Sequence, residues 1–132
     1  MSAPTPVVRQ YTLVRDTSRC ALCGALSPLE WNHRAAVGMG GSKHRPGVAE
    51  GVILCNRCNT DIESDADLMK TALANGIKIR KWADPNRVPI YYQQEWRWYR
   101  LEGIERVEVT AMVALDMMHA VYGDAYFHWR ND

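Results

Sequence analysis

Two short cysteine pairs carry the clearest chemical signal in this chain. The pairs are Cys20-Ala-Leu-Cys23 and Cys55-Asn-Arg-Cys58, and they contain every cysteine in the sequence. Two C-x2-C pairs supply four thiolates, which is the tetrahedral ligand set of a structural zinc ion. An even number of cysteines would also fit two disulfides, but the two-residue spacing favours a metal. We therefore predict a closed Zn²⁺ site bound by four cysteines.

Because a four-cysteine site has no open position for a substrate, any catalysis must come from other residues. Two candidates lie next to the cysteine pairs. His33, preceded by Asn32, falls in the segment between the pairs, and Asn59 follows the last cysteine directly. The same metal would therefore hold both His33 and Asn59 in place.

The segments around the cysteines predict a hairpin. Residues 29–33 and 51–54 have the character of short strands, and the second is apolar throughout apart from its glycine. Residues 38–47 between them are too rich in glycine and proline for anything but a loop. The two strands would therefore be antiparallel, with a cysteine pair near either end of the hairpin.

A helix is predicted after the hairpin. It would begin near Asn56, restart or kink at a capping box in residues 64–67, and stop at Asn75-Gly76. Asn59 and Glu63 lie one turn apart and would share one polar stripe. The residues expected to face the core recur at helical spacing: Ile62, Ala66, Met69 and Leu73.

The flanking segments predict a mixed fold. Residues 9–15 form a β-rich segment, expected to be a short strand or extended arm. Residues 78–82 and 90–99 have the character of strands, and residues 109–122 that of a C-terminal helix ending at Gly123. At 132 residues the chain is long enough for one domain with a modest core. The predicted fold class is α+β.

Taken together, these motifs resemble a known family. The order C-x2-C, a polar residue followed by His, a Gly-Gly loop, and L-C-x2-C followed by Asn is similar to HNH endonucleases with the ββα-metal (His-Me) finger. Asn directly after the last cysteine, and the stretch 33–42, resemble phage enzymes of the endonuclease VII type. The resemblance covers about residues 18–82.

The resemblance implies a division of the chain. Residues 1–17 would be an N-terminal arm, residues 18–82 a zinc-stapled ββα-metal domain, and residues 83–132 a small strand and helix extension of the same domain. It also implies a phage-encoded protein in the bacterial cytoplasm. Independently of the resemblance, the chain has no apolar run of the ~20 residues that a membrane span needs.

The implied activity is that of a divalent-metal-dependent DNA endonuclease or nickase. His33 would be the general base that takes a proton from water. Asn32 and Asn59 would be oxygen ligands of a catalytic Mg²⁺ or Mn²⁺, with Glu63 as a further candidate ligand. The metal would bind the scissile phosphate and stabilise the leaving oxygen.

The charge pattern is compatible with a DNA partner. The net charge is only +1, but residues 1–60 contain seven basic and three acidic residues, whereas residues 61–132 contain nine basic and twelve acidic ones. Basic side chains near the candidate site would meet phosphates. The candidates are Arg34, Lys43, His44, Arg45 and Arg57.

Two alternatives remain open. Asn32 stands where the family usually has Asp or His, and Glu50 or Gly51 stands where it has a middle Asn. These differences suit a catalytically degenerate zinc module that binds DNA or a protein partner. A small phage factor that binds a host protein through its Met-rich C-terminal helix is the weaker alternative.

Several side chains of the C-terminal part are expected to pack. The aromatic residues, including Trp82 and Trp96, suit a core better than base stacking. His119 and His128 are expected to be structural. The apolar residues of the C-terminal helix cover more than one packing face needs, which predicts a second buried surface such as a homodimer interface.

Overall fold

The computed structural model describes residues 3–36 and 44–130, and within these ranges the chain is a mixture of helices and short strands, as predicted. In chain order the elements are α1 (Pro6–Arg15), β1 (Leu29–His33), β2 (Gly51–Cys55), α2 (Asn56–Ser64), α3 (Ala66–Ala74), β3 (Ile90–Tyr92), β4 (Arg97–Glu102), β5 (Glu105–Val109), α4 (Ala111–Tyr122) and α5 (Ala125–Arg130). The predicted glycine-rich loop lies largely outside the described residues.

Two small antiparallel sheets organise the molecule. Strands β1 and β2 pair in the predicted hairpin, with Leu29 opposite Cys55 and His33 opposite Gly51. Every residue of β2 is buried, whereas β1 is exposed or half-buried along its length. Strands β3, β4 and β5 form the second sheet in that order. The hairpin therefore presents β1, with its candidate residues, toward the surface.

Helix α1 replaces the predicted N-terminal strand. Thr5 caps the helix by accepting a hydrogen bond from Val8 N, and Pro6 occupies its first turn. Thr and Pro at these positions are start signals for a helix and outweigh the β-propensity of the following residues. The helix packs on the hairpin, where Thr12 Oγ1 accepts a hydrogen bond from Trp31 Nε1 at 3.0 Å. The extended-arm prediction for residues 9–15 is wrong.

A buried ion pair joins α1 to both sheets. Arg15 donates to both carboxylate oxygens of Asp16, at 2.8 and 3.0 Å, and neither side chain is exposed. Asp16 also accepts hydrogen bonds from Ile53 N in β2 and from the Tyr92 hydroxyl in β3. Burial and the Asp16 carboxylate together raise the pKa of Tyr92 well above its usual value. A buried pair of this kind is stable because its polar atoms are satisfied.

Arg34 is the second buried cation, and its position corrects a prediction. It is 0% exposed, and its guanidinium donates five hydrogen bonds of 2.8–3.1 Å. The acceptors are the backbone carbonyls of Ala49, Gly76, Pro85 and Val88. Burial lowers the pKa of Arg34 to about 9, which leaves it protonated at neutral pH. Arg34 therefore holds four chain segments together and is unavailable to DNA.

The predicted break in the helix is confirmed. Asp65 ends α2 and caps α3, its carboxylate accepting hydrogen bonds from Asp67 N and Leu68 N. Gly76 follows α3 with φ of +71°, the left-handed conformation that favours glycine. Of the four predicted core residues, Ile62 and Leu73 are buried and Met69 is half-buried. Ala66 is exposed because α3 begins there in a new direction.

The C-terminal half departs further from the predictions. Residues 78–82 form no strand, and only Ile79 makes an isolated bridge, to Ala35. Residues 105–109 form a strand after a turn at Gly103, and α4 therefore begins two residues later than expected. The additional helix α5 was not predicted. Trp82 and Trp96 are 68% and 80% exposed, so their assignment to the core is wrong.

Helix α4 buries one face against α5 and the second sheet, through Ala114, Met118 and Tyr122. Met112 and Val113 on its first turn are exposed. An exposed apolar turn is compatible with the homodimer, which stays a prediction. Among the described helices, none combines the length and apolar character that a membrane crossing requires.

We expect Arg34→Met to lower the free energy of unfolding by about 3 to 5 kcal/mol, because four backbone carbonyls would lose their donors. Urea denaturation followed by circular dichroism measures the change. The matched control is Arg57→Met, whose side chain is 90% exposed, and its effect should stay within about 0.5 kcal/mol. Equal stability of Arg34→Met and the wild type would contradict this assignment.

Candidate functional site

The four cysteine sulfurs converge on one point. All four Sγ atoms lie within 4.8 Å of one another, and the Sγ atoms of Cys23 and Cys55 are 3.7 Å apart. Tetrahedral zinc with bonds of about 2.3 Å would separate its sulfurs by about 3.8 Å, whereas a disulfide requires about 2.05 Å. All four cysteines are unbridged. The disulfide alternative is therefore wrong, and the cluster could bind a metal such as zinc.

Each cysteine pair lies in a turn that aims its sulfurs inward. In the first pair, Gly24 N donates to the carbonyl of Cys20, and Gly24 has φ of +80°. In the second pair, Cys55 is the N-cap of α2, and its sulfur accepts a hydrogen bond from Cys58 N at 3.4 Å. Backbone N–H groups at a helix N-terminus favour negative charge. The start of α2 therefore suits two thiolates.

Burial and mutual repulsion make it costly to ionise all four thiols without a bound cation. Burial and then the charge of Cys20 raise the pKa of the Cys58 thiol well above its usual value. Burial likewise raises the pKa of Cys23, whereas hydrogen bonds from Cys58 lower that of Cys55 against the effect of burial. Four thiolates at these distances repel one another. A bound divalent cation removes this repulsion and compensates the cost of burying the charges.

His33 is the last residue of β1 and is held from two sides. Its ring meets the Trp31 ring edge to face, with centroids 4.9 Å apart. Its backbone carbonyl accepts a hydrogen bond of 2.9 Å from Lys78 Nζ. The Trp31 ring packs directly on the backbone of Gly51. A Cβ atom at residue 51 would lie 2.0 Å from this ring, so only glycine fits beneath it. The candidate base is therefore half-buried on a rigid strand.

The polar stripe of α2 runs along β1. Near the start of the strand, Asn59 Nδ2 donates to Glu30 Oε1 at 3.0 Å. One turn later, Glu63 Oε1 lies 4.0 Å from Lys78 Nζ, the amine that also contacts the His33 carbonyl. Asn59 does not cap the helix, since Cys55 does. The fold thus brings Asn59 and Glu63 to β1, the strand that carries His33. The His33 ring itself packs on Trp31, on the face of β1 opposite to Glu30, since strand side chains alternate.

Asn32 makes a local contact instead of joining Asn59. Its Nδ2 donates to the backbone carbonyl of Glu30 at 3.2 Å. Because strand side chains alternate, Asn32 shares a face of β1 with Glu30, the residue that contacts Asn59. The oxygen of the Asn32 amide is left on this same face. Asn32 is therefore adjacent to the Glu30 and Asn59 pair.

Two residues of the site were missed by sequence reasoning. Glu30 could have been found, because it lies two positions before Asn32 and so on the same strand face. Lys78 gives no local signal, since it reaches His33 from 45 residues along the chain. Burial lowers the pKa of Lys78, while the nearby Glu63 carboxylate opposes this shift. Glu30 thus adds a carboxylate next to Asn59, and Lys78 adds an amine at the backbone of His33.

The predicted DNA-binding residues differ in their surroundings. His44 is exposed, with Nε2 3.0 Å from Glu50 Oε1. Arg45 is also exposed and donates to the carbonyl of Ala3 at 3.0 Å. Lys43 lies outside the described residues. His44 and Arg45 are therefore accessible near the residues that precede α1.

Arg57 is the exposed cation closest in sequence to Asn59. It lies on the first turn of α2, with Nε 3.6 Å from Asp61 Oδ2. Exposed ion pairs of this kind contribute little to stability and exchange easily. Arg57 can therefore turn toward an anionic partner at low cost.

Within residues 3–36 and 44–130, the four cysteines are the only group of three or more His, Cys, Asp or Glu residues whose ligand atoms could share one metal. Oxygen donors for a second ion would have to come from a smaller set, in which Asn59 and Glu30 are in direct contact. Mg²⁺ keeps several water ligands and needs only one or two protein groups. The donor types present therefore fit a weakly held hard cation.

Comparisons of the chain with models of protein families, with curated proteins and with solved structures find no match.

We expect Cys58→Ser to lose the metal, because zinc prefers four thiolates and the cluster would keep only three. The purified wild type should contain one zinc ion per chain by mass spectrometry of the elements, and the variant much less than that. The control is Arg57→Ala, which changes the residue next to Cys58 and leaves all four sulfurs. A wild type without bound metal, or a variant with full zinc content, would exclude the four-cysteine site.

Proposed function

We propose that this protein is a divalent-metal-dependent DNA endonuclease or nickase built on a zinc-stapled ββα-metal finger. The observation that supports it best is the contact between Asn59 of α2 and Glu30 of β1 at 3.0 Å. Through this contact the polar stripe of α2, which contains Asn59 and Glu63, lies against β1, the strand that ends at His33. The four-cysteine cluster controls the start of that helix through Cys55 and Cys58.

In this proposal the side chains on α2 and β1 bind the catalytic ion. Asn59 is the central ligand and contacts Glu30, and Asn32 and the carboxylates of Glu30 and Glu63 would contribute further oxygen atoms. Carbonyl and carboxylate oxygens are the donors that Mg²⁺ and Mn²⁺ take. When bound, the ion would neutralise charge on the scissile phosphate and the leaving oxygen.

His33 is the proposed general base. One of its ring nitrogens takes the proton from the attacking water, so that the oxygen can bond to phosphorus. Trp31 restricts the ring of His33, and Lys78 restrains its backbone. A base held in this way needs little reorganisation when the substrate binds.

The proposed substrate is DNA, because three basic side chains of the N-terminal half are exposed. Arg57 lies on the first turn of α2, and His44 and Arg45 lie near the residues that precede α1. Each can contact a phosphate without disturbing the interior. Arg34, although next to His33 in sequence, is excluded from this role by its burial.

A second candidate function is a zinc module that binds DNA or a protein without cutting. The observation that favours it is the absence, within the described residues, of a second preformed cluster of three His, Asp or Glu ligands. Lys78 also places an amine beside Glu63, where it competes with a cation for the carboxylate. If the purified protein binds duplex, nicked and branched DNA but cuts none of them with any divalent ion, this second function is correct.

We expect His33→Ala to reduce Mg²⁺- or Mn²⁺-dependent nicking of a supercoiled plasmid by about 10²- to 10⁴-fold, because no base would remain for the attacking water. The assay follows conversion of supercoiled to open-circular DNA. His128→Ala is the matched control, since His128 is exposed on α5, and it should cut as fast as the wild type. Unchanged cleavage by His33→Ala would remove His33 from the mechanism.

We expect Asn59→Ala to raise the Mg²⁺ concentration needed for half-maximal cleavage by at least about tenfold, because an oxygen ligand and its contact with Glu30 are both lost. Cleavage rates measured across a Mg²⁺ titration give this concentration. Asn56→Ala removes an exposed amide from the first turn of the same helix and is the control. The same Mg²⁺ dependence in both variants would argue against Asn59 as a ligand.

A further inference from the structure

Trp96 is an exposed aromatic side chain in an unusual backbone conformation. It is 80% exposed and lies in the turn between β3 and β4. Its φ is +59°, in the left-handed region that favours glycine, and its N–H donates to the carbonyl of Tyr92 at 3.0 Å. Glycine or asparagine would form this turn with less strain. The turn therefore does not require an indole at this position.

The Trp96 side chain lines two neighbouring surface concavities. One has a volume of about 640 Å³ and is also lined by Trp98 and Thr110. The other has a volume of about 520 Å³ and is also lined by Cys23 and Gln93. Asn75 and Tyr91 line both. The two concavities therefore share three lining side chains, and together they form a recess that reaches the first cysteine pair at Cys23.

The charged residues of this recess are largely balanced. Arg97 forms an ion pair of 2.7 Å with Glu108. Glu95 accepts hydrogen bonds from Arg106 at 2.7 and 3.1 Å. Arg130 lines the rim of the larger concavity. Because most of the charge is paired, the recess favours a neutral ligand over a phosphate group.

Carboxamide groups supply the hydrogen-bonding capacity of the recess. Asn75, Gln93 and Gln94 all line the smaller concavity. Amide side chains pair with the edges of nucleobases, and exposed indoles stack on their faces. A neutral, planar ring with donors and acceptors on its edge fits this lining.

We propose that Trp96 and the neighbouring amides bind an unpaired nucleobase of a DNA strand. The inference rests on the proposed function and specifies its substrate class: DNA that contains single-stranded or unpaired nucleotides. A base within a duplex is stacked on both faces and cannot reach the indole. The recess and the β1–β2 hairpin share the four-cysteine cluster, since Cys23 lines the recess and Cys55 ends β2.

The test is binding of a fluorescently labelled single strand of about a dozen thymidines, measured by anisotropy without added Mg²⁺ or Mn²⁺. Trp96→Gly should weaken binding by about tenfold or more, because the stacking surface is lost. Its melting temperature should not fall, because glycine adopts a positive φ without strain. Trp96→Phe should retain most of the affinity, since it keeps an aromatic face.

Trp82→Ala is the matched control. Trp82 is 68% exposed and lies in a different groove, beside Met117 and Val121 of α4. This variant should bind the single strand as tightly as the wild type. A duplex of the same length should bind more weakly than the single strand to the wild type, and Trp96→Gly should not weaken duplex binding.

Equal single-strand affinity of Trp96→Gly and the wild type would overturn the inference and would leave a peptide as the alternative occupant. An equal loss in Trp96→Gly and Trp82→Ala would overturn it as well. The result is separable from the nuclease proposal, because single-strand binding is measured without divalent ions and does not depend on whether the protein cuts DNA.

Discussion

The convergence of four sulfur atoms is the constraint on which the rest of the structure depends. It ties the turn before β1 to the end of β2 and the start of α2. Binding of structural zinc by such a cluster is worth about 10 to 16 kcal/mol in small zinc domains, which is comparable with the whole stability of a typical domain. A metal bound by this cluster would therefore hold a two-stranded hairpin, which would be marginal alone, and both proposed DNA-contacting surfaces adjoin the cluster.

Two buried arginines extend this constraint through segments with little regular structure. Arg15 is neutralised by Asp16, and the pair fixes α1 against the hairpin. Arg34 has only backbone carbonyls as acceptors, and these four carbonyls come from three segments distant in sequence. Because Arg34 directly follows His33, its burial also fixes the end of β1. Packing in the interior thus positions the candidate base before any substrate or ion arrives.

Local signals made a large part of the fold predictable. The spacing of the cysteines predicted the four-cysteine cluster, and the glycine and proline content between the strands predicted the hairpin. Asp65 and Gly76 marked the start and end of α3 through their capping chemistry. Each of these signals depends on the conformation of a few adjacent residues. The N-terminal helix was missed even so, because the prediction gave more weight to the β-rich residues 9–15 than to the helix start signals at Thr5 and Pro6.

The sequence by itself determined the four-cysteine cluster, the hairpin and the helix that follows it, because spacing and capping act over a few residues. Only the tertiary structure decided the surroundings of individual side chains. It buried Arg34, brought Lys78 to His33 and left Trp96 exposed beside a recess. The physical reason is that burial and ion pairing depend on segments tens of residues away, and no local pattern specifies which of them will meet.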